Sequence, residues 1–530
     1  MQSIGSKIRF SAIVLAVFFL INLIVYGETL NHPFMMEDER LFGMWARPLN
    51  LDSILACLNP YQKLLIYYRP TANFLYLLLN HLSGGDPLVC RFYILVLFTI
   101  FIALLYFLTK ELFKNNRIAL IVAVIFLVHP INGFYVNYIT ASSVLIWGVM
   151  MTGALCAHLV YIKKESLHWL SLSIVLSFLA LGSHEMAGIL PVYILLLNRF
   201  LNVPWAKAIQ RALCYALVVG IWHLPRMIFI SHGENVSGMM ASGAAGMGLD
   251  LWNYLPNLMF LIGWYLKQLI WPAQVLFMKT IWPIKEDLFF LNVFIGILFV
   301  SLAVILVRLR DSLSRGSVIW FIVGLMPLAL AMFISPAQGL TVEPHWFMIG
   351  SFGFFWTAAF IFNALRNHTN FIVGGVCVAF VLGALVLLTK NNNALWRTER
   401  TYCSYWLSQE PRQQFPSFWM GLSSLKMGEL KSADYFFRQA LTGWYIDWET
   451  FINLGAIALR ENRFNDSIMW NNKALALNPS AAEAYNNLGA VAWNQGDAVS
   501  AREFFKKAVA VDSFPSKAVE NLKIISTQEQ

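Results

Sequence analysis

Apolar stretches long enough to cross a hydrocarbon core of about 30 Å recur many times between residues 10 and 389. That recurrence restricts this chain more than any other feature. Of the 530 residues, 58% are hydrophobic and only 13% are charged, about half the charged share usual in soluble domains. From Lys390 the chain turns polar, at the run Lys390-Asn391-Asn392-Asn393. The expected organisation is all-α: a polytopic membrane domain over 1–390, with an outer loop at 27–65, then a polar domain over 391–530.

The net charge of +9 does not point to nucleic acid, because the basic residues cluster in short loops between apolar segments. That is the pattern of loops retained on the cytoplasmic side. The six cysteines have no metal-ligand spacing, and Cys90, Cys156, Cys214 and Cys377 lie in or beside apolar runs, so no disulfide framework is implied. The first apolar run, 10–26, follows Lys7 and Arg9 without a small-residue cleavage site, and reads as a retained signal anchor.

Lys7 and Arg9 place the N-terminus in the cytoplasm, and the acidic stretch after the first run belongs outside. Five basic loops share one side if two apolar pieces, 66–82 and 255–271, do not cross. Both carry Pro, Asn or Lys among apolar residues, as re-entrant or interfacial helices do. The other spans start near residues 10, 88, 118, 142, 168, 187, 210, 288, 317, 345 and 370, about eleven in all. An odd number of crossings from a cytoplasmic start puts the C-terminal domain outside, periplasmic or lumenal.

Aligned against itself, the polar tail has a period of 34: Gly421, Gly455 and Gly489 stand one period apart, as do Ala440, Ala474 and Ala508. Ala433, Ser467 and Ala501 hold the small position where two helices of a repeat pack closest. Pro479 closes the second repeat and Pro515 comes after the third. The pattern resembles the tetratricopeptide repeat, about three copies stacked into a superhelix. Such arrays bind peptides or proteins, which implies a protein acceptor or partner; the alternative is that they only cap the membrane domain.

Charges at the ends of apolar spans are costly unless they are used or solvated. Four outward sites stand out. Glu37-Asp38-Glu39-Arg40 comes just after the first span, and mutual repulsion among its carboxylates suits one of them as a general base. Tyr67-Tyr68-Arg69-Pro70 leads into an apolar helix, with Arg69 available to phosphate or carboxylate. Trp222-His223-Leu224-Pro225-Arg226 puts His223 and Arg226 three residues apart, on one helix face. His184-Glu185 and Glu343-Pro344-His345-Trp346 sit at span mouths, where Glu185 or Glu343 could instead pair with an arginine.

In order along the chain, Glu37-Asp38, Tyr68-Arg69-Pro70, His129-Pro130, Glu185, Arg226 and Glu343 resemble the class C (GT-C) glycosyltransferases. More narrowly they resemble the transmembrane-and-tetratricopeptide-repeat protein O-mannosyltransferases and their bacterial relatives. Departures are Glu-Asp for two aspartates, no arginine in 137–142, His184 where a lysine is usual, and Pro344-His345 for Arg-Tyr.

The resemblance implies an inverting enzyme of a membrane such as the bacterial inner membrane, with a polyprenyl-phosphate sugar donor in the outer leaflet. Asp38 foremost, with Glu37 second, would take the acceptor hydroxyl's proton. Arg69 and Arg226 would hold the departing phosphate, with Glu39, Tyr68, His129, His184, Glu185, His223, Glu343 and His345 completing the substrate site. No cofactor is implied beyond a divalent cation, Mg or Mn, which some class C enzymes need and others do not. The alternatives are a non-catalytic assembly protein docking through its repeats, or transfer to a lipid or polysaccharide.

Overall fold

A computed structural model describes residues 2–59, 68–232, 251–273, 275–276, 278–282, 289–307, 312–334, 340–368, 371–411, 413–442, 447–511 and 517–528. The chain divides into two compact units, Met1–Thr398 and Glu399–Gln530. Among the described residues both are helical apart from one antiparallel strand pair, Lys279–Trp282 with Leu340–Val342, which pairs Lys279 with Val342.

The first unit begins with α1 (Gln2–Tyr26), α2 (Asp38–Met44), α3 (Leu51–Leu58), α4 (Pro70–Ser83), α5 (Pro87–Phe113) and α6 (Asn116–Val128). It continues with α7 (Phe134–Asn137), α8 (Ser142–Lys164), α9 (Leu167–Leu181), α10 (Leu190–Phe200) and α11 (Trp205–His232). Later helices are given by their ranges.

Among the described residues, four helical segments are long and apolar enough to cross a membrane: Ala12–Asn31, Pro87–Phe113, Ile139–Lys164 and Val373–Leu395. A fifth is added if the pair Asn116–Val128 and Pro130–Asn137, bent by 61°, is one span. This corrects the expected eleven, and the reasons are local. The span expected near 168 yields only the 15 residues of α9, roughly 22 Å at 1.5 Å per residue, short of a hydrocarbon core. Those expected near 187 and 345 open on 3₁₀ turns, Glu185–Ile189 and Pro344–Phe347, which leave shorter helices behind them. Helix α11 is 28 residues long but carries Lys207, Arg211, Pro225 and Arg226. Neither α4 nor the helix Leu251–Ile270 is among the four.

Helix α8 lies at the centre, with 78% of its span buried, whereas only 6% of Val373–Leu395 is. A buried polar cluster joins α8 to α11. His158 Nδ1 lies 2.8 Å from Tyr215 Oη, Asn198 Nδ2 is 2.9 Å from His158 Nε2, and Ser173 Oγ is 2.6 Å from the same Tyr215 hydroxyl. Each such bond contributes about 1 kcal/mol net, but leaving one partner unmade inside costs more, so the four helices are held in one arrangement.

The polar run at 390–393 does not leave the first unit. Helix Phe371–Leu395 continues through it, with Thr389 and Asn393 fully buried. Asn393 Nδ2 donates to Val25 O (3.0 Å), and its Oδ1 accepts from Asn137 Nδ2 (2.7 Å).

In the second unit, helix pairs Gln414–Lys426 with Leu430–Ala440, Trp448–Arg460 with Phe464–Leu477, and Ala482–Asn494 with Ala498–Val511 keep the period read from the sequence. Glu399–Gln409 and Lys517–Gln528 flank them. The repeated glycines sit where the helices of a pair cross. A Cβ on Gly421 would meet Phe437 at 2.8 Å, one on Gly489 would meet Phe505 at 2.7 Å, and Gly455 faces Asn471 in the same way. Ala433, Ser467 and Ala501 are fully buried.

Candidate functional site

Helix α4 starts at Pro70, whose missing N–H suits a first helical position. The next two amides have no partner inside the helix, and Thr71 N (2.9 Å) and Ala72 N (3.4 Å) donate to Gly182 O. Gly182 permits this approach, since a Cβ there would lie 3.2 Å from Thr71 Cβ and closer to its hydroxyl. The start of α4 is thereby pinned to the corner after α9. Arg69 lands on Glu185, with Nη2 at 2.7 Å from Oε2 and Nε at 3.2 Å from both carboxylate oxygens.

A second arginine arrives from α11. Trp222 stacks on Tyr68 with ring centres 5.7 Å apart and planes 19° apart, and Phe178 meets the indole edge-on at 4.9 Å. One turn on from Trp222, Arg226 Nη2 lies 3.5 Å from Glu185 Oε1. His184 caps the 3₁₀ turn by accepting from Met186 N (3.2 Å), packs on Trp147, and holds Nδ1 3.6 Å from Glu185 Oε2. Burial favours the neutral carboxyl of Glu185, but Arg69 and Arg226 outweigh it and hold the group well below its ordinary range. Burial, then Arg69, push His184 well below the ordinary imidazole range, so it is neutral near pH 7.

His345 adjoins this cluster, edge-on to His184 at 6.3 Å and stacked on Phe134 at 4.8 Å. Its Nε2 is 2.9 Å from Glu343 Oε2, and Glu343 O accepts from Tyr265 Oη (2.6 Å).

Asp38 is completely buried. One carboxylate oxygen accepts from Met35 N (2.9 Å), the other from Thr140 N (2.8 Å) and Thr140 Oγ1 (2.7 Å). Burial pushes this carboxyl above its ordinary value, against the opposing pull of Arg91 and the three donors. Just before the acidic pair, Met36 holds φ 49°, a left-handed conformation that costs a non-glycine residue roughly 1–3 kcal/mol. Glu37 is half-buried at the N-cap of α2, and Glu39 is exposed.

Asp38 and the arginine cluster belong to one chain of hydrogen bonds. Thr140 O accepts from Tyr76 Oη (2.8 Å), which accepts from Ser143 N (3.1 Å); Ser143 Oγ in turn faces Arg69 Nη1 at 3.5 Å. Tyr68, Arg69, His184, Glu185, Arg226, Glu343, His345 and Asp38 are thus gathered in one region. His129 is not. It is buried at the bend after α6, where Nε2 meets Leu269 O (3.0 Å) and Nδ1 accepts from Ile131 N (3.3 Å). His223 is exposed on α11 and outside the cluster, and Tyr67 lies outside the described residues.

Sequence reasoning missed Arg91. Buried on α5, it donates to His32 O (2.8 Å), Pro33 O (2.5 Å) and Asn137 O (2.9 Å), and so ties the outer loop to the segment carrying Thr140. The stretch 137–142 has no arginine of its own; α5 supplies one. The signal was present, an arginine at the mouth of an apolar run, as at Arg226. Among the described residues no three His, Cys, Asp or Glu side chains gather where a metal ion could be held.

Residues 455–496 match the family "TPR repeat", and residues 482–514 match "Tetratricopeptide repeat". No curated protein matches the chain. The crystal structure of the yeast Tom70 is similar at 11% identity and a TM-score of 0.24, covering 74% of this chain and 92% of that one. The crystal structure of APC/C hetero-tetramer Cut9-Hcn1 is similar at 12% identity and a TM-score of 0.25, covering 89% of this chain and 99% of that one. Overlaps that loose carry no argument. Together with the helix pairs, the family matches make the C-terminal unit an array of tetratricopeptide repeats, a kind of domain that generally mediates protein–protein interaction.

Proposed function

We propose that the chain is an inverting glycosyltransferase that moves a sugar from a polyprenyl-phosphate donor to an acceptor hydroxyl at the outer face of a membrane. The observation that carries this reading is the convergence of Arg69 and Arg226, from distant helices, on one partly exposed seat linked through hydrogen bonds to Asp38. Two guanidinium groups at one point suit a phosphate leaving group, and they act more strongly where water is scarce. Of the acidic pair only Glu37 keeps exposed surface, which supports Glu37 as the group that accepts the hydroxyl proton, with Asp38 fixing the loop.

Sidedness is read from the basic loops: Lys7 and Arg9 hold the N-terminus in the cytoplasm, and the basic loop before Val373–Leu395 is cytoplasmic too, so that this one crossing leaves the repeats extracytoplasmic, in a membrane such as the bacterial inner membrane. The repeats would select a protein acceptor, with lipid or polysaccharide as the other acceptor classes.

The burial of Asp38 favours a second reading, a non-catalytic assembly protein that docks partners on its repeats. The deciding experiment supplies purified protein with a panel of polyprenyl-phosphate sugars and cell-envelope proteins, and compares wild type with Glu37→Gln, Asp38→Asn and Arg226→Ala. Transfer lost by about 10²–10⁴-fold in a carboxylate variant that still folds supports the enzyme. No transfer from a folded wild type across the panel would leave the docking reading.

A further inference from the structure

Arg69 and Arg226 bring two positive charges to their cluster, Glu185 returns one negative charge, and His184 is neutral. The sum is a single positive charge. Arg69, Glu185 and Arg226 each keep about a fifth of the side chain exposed (19%, 21% and 23%), so a ligand reaches the cluster without the fold opening. Glu185 is an unusual member of a phosphate seat, since its carboxylate takes up the guanidinium donors a phosphate would use.

We propose that Glu185 tunes the cluster to the charge of the bound phosphate, weakening its hold on a doubly charged phosphomonoester more than its hold on a singly charged phosphodiester. This rests on the reading of the cluster as the seat of a lipid-linked sugar phosphate. In the transfer, the acceptor oxygen bonds to the anomeric carbon as the bond from that carbon to the phosphate oxygen breaks. The electron pair stays on the phosphate oxygen, and the hydroxyl proton goes to a carboxylate.

The donor is a diester with one negative charge. The phosphate left behind is a monoester, whose second ionisation near pH 6 gives it a charge of roughly −1.5 to −2 at pH 7. Each negative charge on the phosphate meets the same Glu185 carboxylate, so that the repulsion is about twice as large for the monoester as for the diester. A repulsion of that kind is strong in a half-buried site, where the effective dielectric constant is well below that of water. Glu185 thereby lowers the hold of the same two arginines on the product more than on the substrate.

The test uses the full chain in detergent and two probes with one tail, farnesyl phosphate and its methyl phosphodiester, with Kd measured by titration calorimetry near pH 7. Glu185→Gln should tighten the monoester by roughly ten- to a hundredfold and the diester by only about three- to tenfold, so that the monoester-to-diester affinity ratio rises by about three- to tenfold. Arg226→Gln removes one positive charge and should weaken the monoester more than the diester, moving the ratio the opposite way. That second variant decides the matter if Glu185→Gln does not fold. A ratio unchanged in the variants, or both probes weakened alike by Glu185→Gln, overturns charge selection and leaves the phosphate seat standing. Failure of folded wild type to bind either probe overturns the seat, and the inference with it.

Discussion

Gly455→Ala should loosen the middle tetratricopeptide repeat although alanine is the better helix former. At this crossing a Cβ on residue 455 would lie 2.8 Å from Asn471 Cγ, and closer still to its amide nitrogen. Asn471 has nowhere to go. It is fully buried, donates to Ser467 O (2.8 Å) and Ser467 Oγ (3.3 Å), and accepts from Asn487 Nδ2 (3.1 Å).

Forcing a methyl into such a contact costs about 1–3 kcal/mol, and each buried hydrogen bond given up costs about 1 kcal/mol more. Helix propensity returns about 1 kcal/mol. The net expectation is a local destabilisation of about 2 kcal/mol, or roughly thirtyfold faster amide exchange. Hydrogen exchange read by mass spectrometry over residues 448–477 of the full chain would measure it. The double variant Gly455→Ala/Asn471→Ala removes the obstacle, so its loss should be at least about 1 kcal/mol smaller than the sum of the two single losses. Unchanged exchange in Gly455→Ala, or simple additivity in the double variant, would refute the packing argument.

Trp222→Ala removes the ring that aligns Tyr68 and carries Arg226 toward Glu185. In a transfer assay the donor KM should rise by about tenfold with a smaller change in kcat, as for an aromatic pair worth about 1 kcal/mol plus a displaced arginine. A chain stopped after Thr398 should keep the first unit folded, whereas one stopped after Lys390 loses the bonds of Asn393 and the buried Trp396, a loss of about 3–5 kcal/mol for the indole alone. Detergent melting curves of the two truncations would show the difference. Glu185, held below its ordinary value of 4.5, contributes stability above that pH and loses it as the pH falls further. Wild type should therefore shed melting temperature below about pH 4.5, while Glu185→Gln, already weaker at pH 7, should show less further loss.

Periodicity in the order of residues was enough to place the repeats. The 34-residue spacing of Gly421, Gly455 and Gly489 fixes where helices must cross, because a small residue is needed wherever two backbones approach. That requirement is local to a repeat and readable in one dimension. The recurring apolar runs likewise announced long helices in the first unit, but apolar content does not say where a helix stops. His129-Pro130 bends one run by 61°, and 3₁₀ turns at Glu185 and Pro344 shorten others, so that among the described residues the eleven expected spans become four, or five if the bent pair is one.

Most of the candidate site was visible as polar residues in costly places; its connectivity was not. Arg69 and Arg226 both stood out in the sequence, yet their meeting on one carboxylate depends on Gly182 accepting the amides of α4 and on Tyr68 stacking with Trp222. Asp38 stood out as a candidate base, and only the fold places Thr140 against it and Arg91 behind the loop. Those contacts join residues about a hundred positions apart, and a hydrogen bond depends on distance in space, which the order of residues along a chain does not contain.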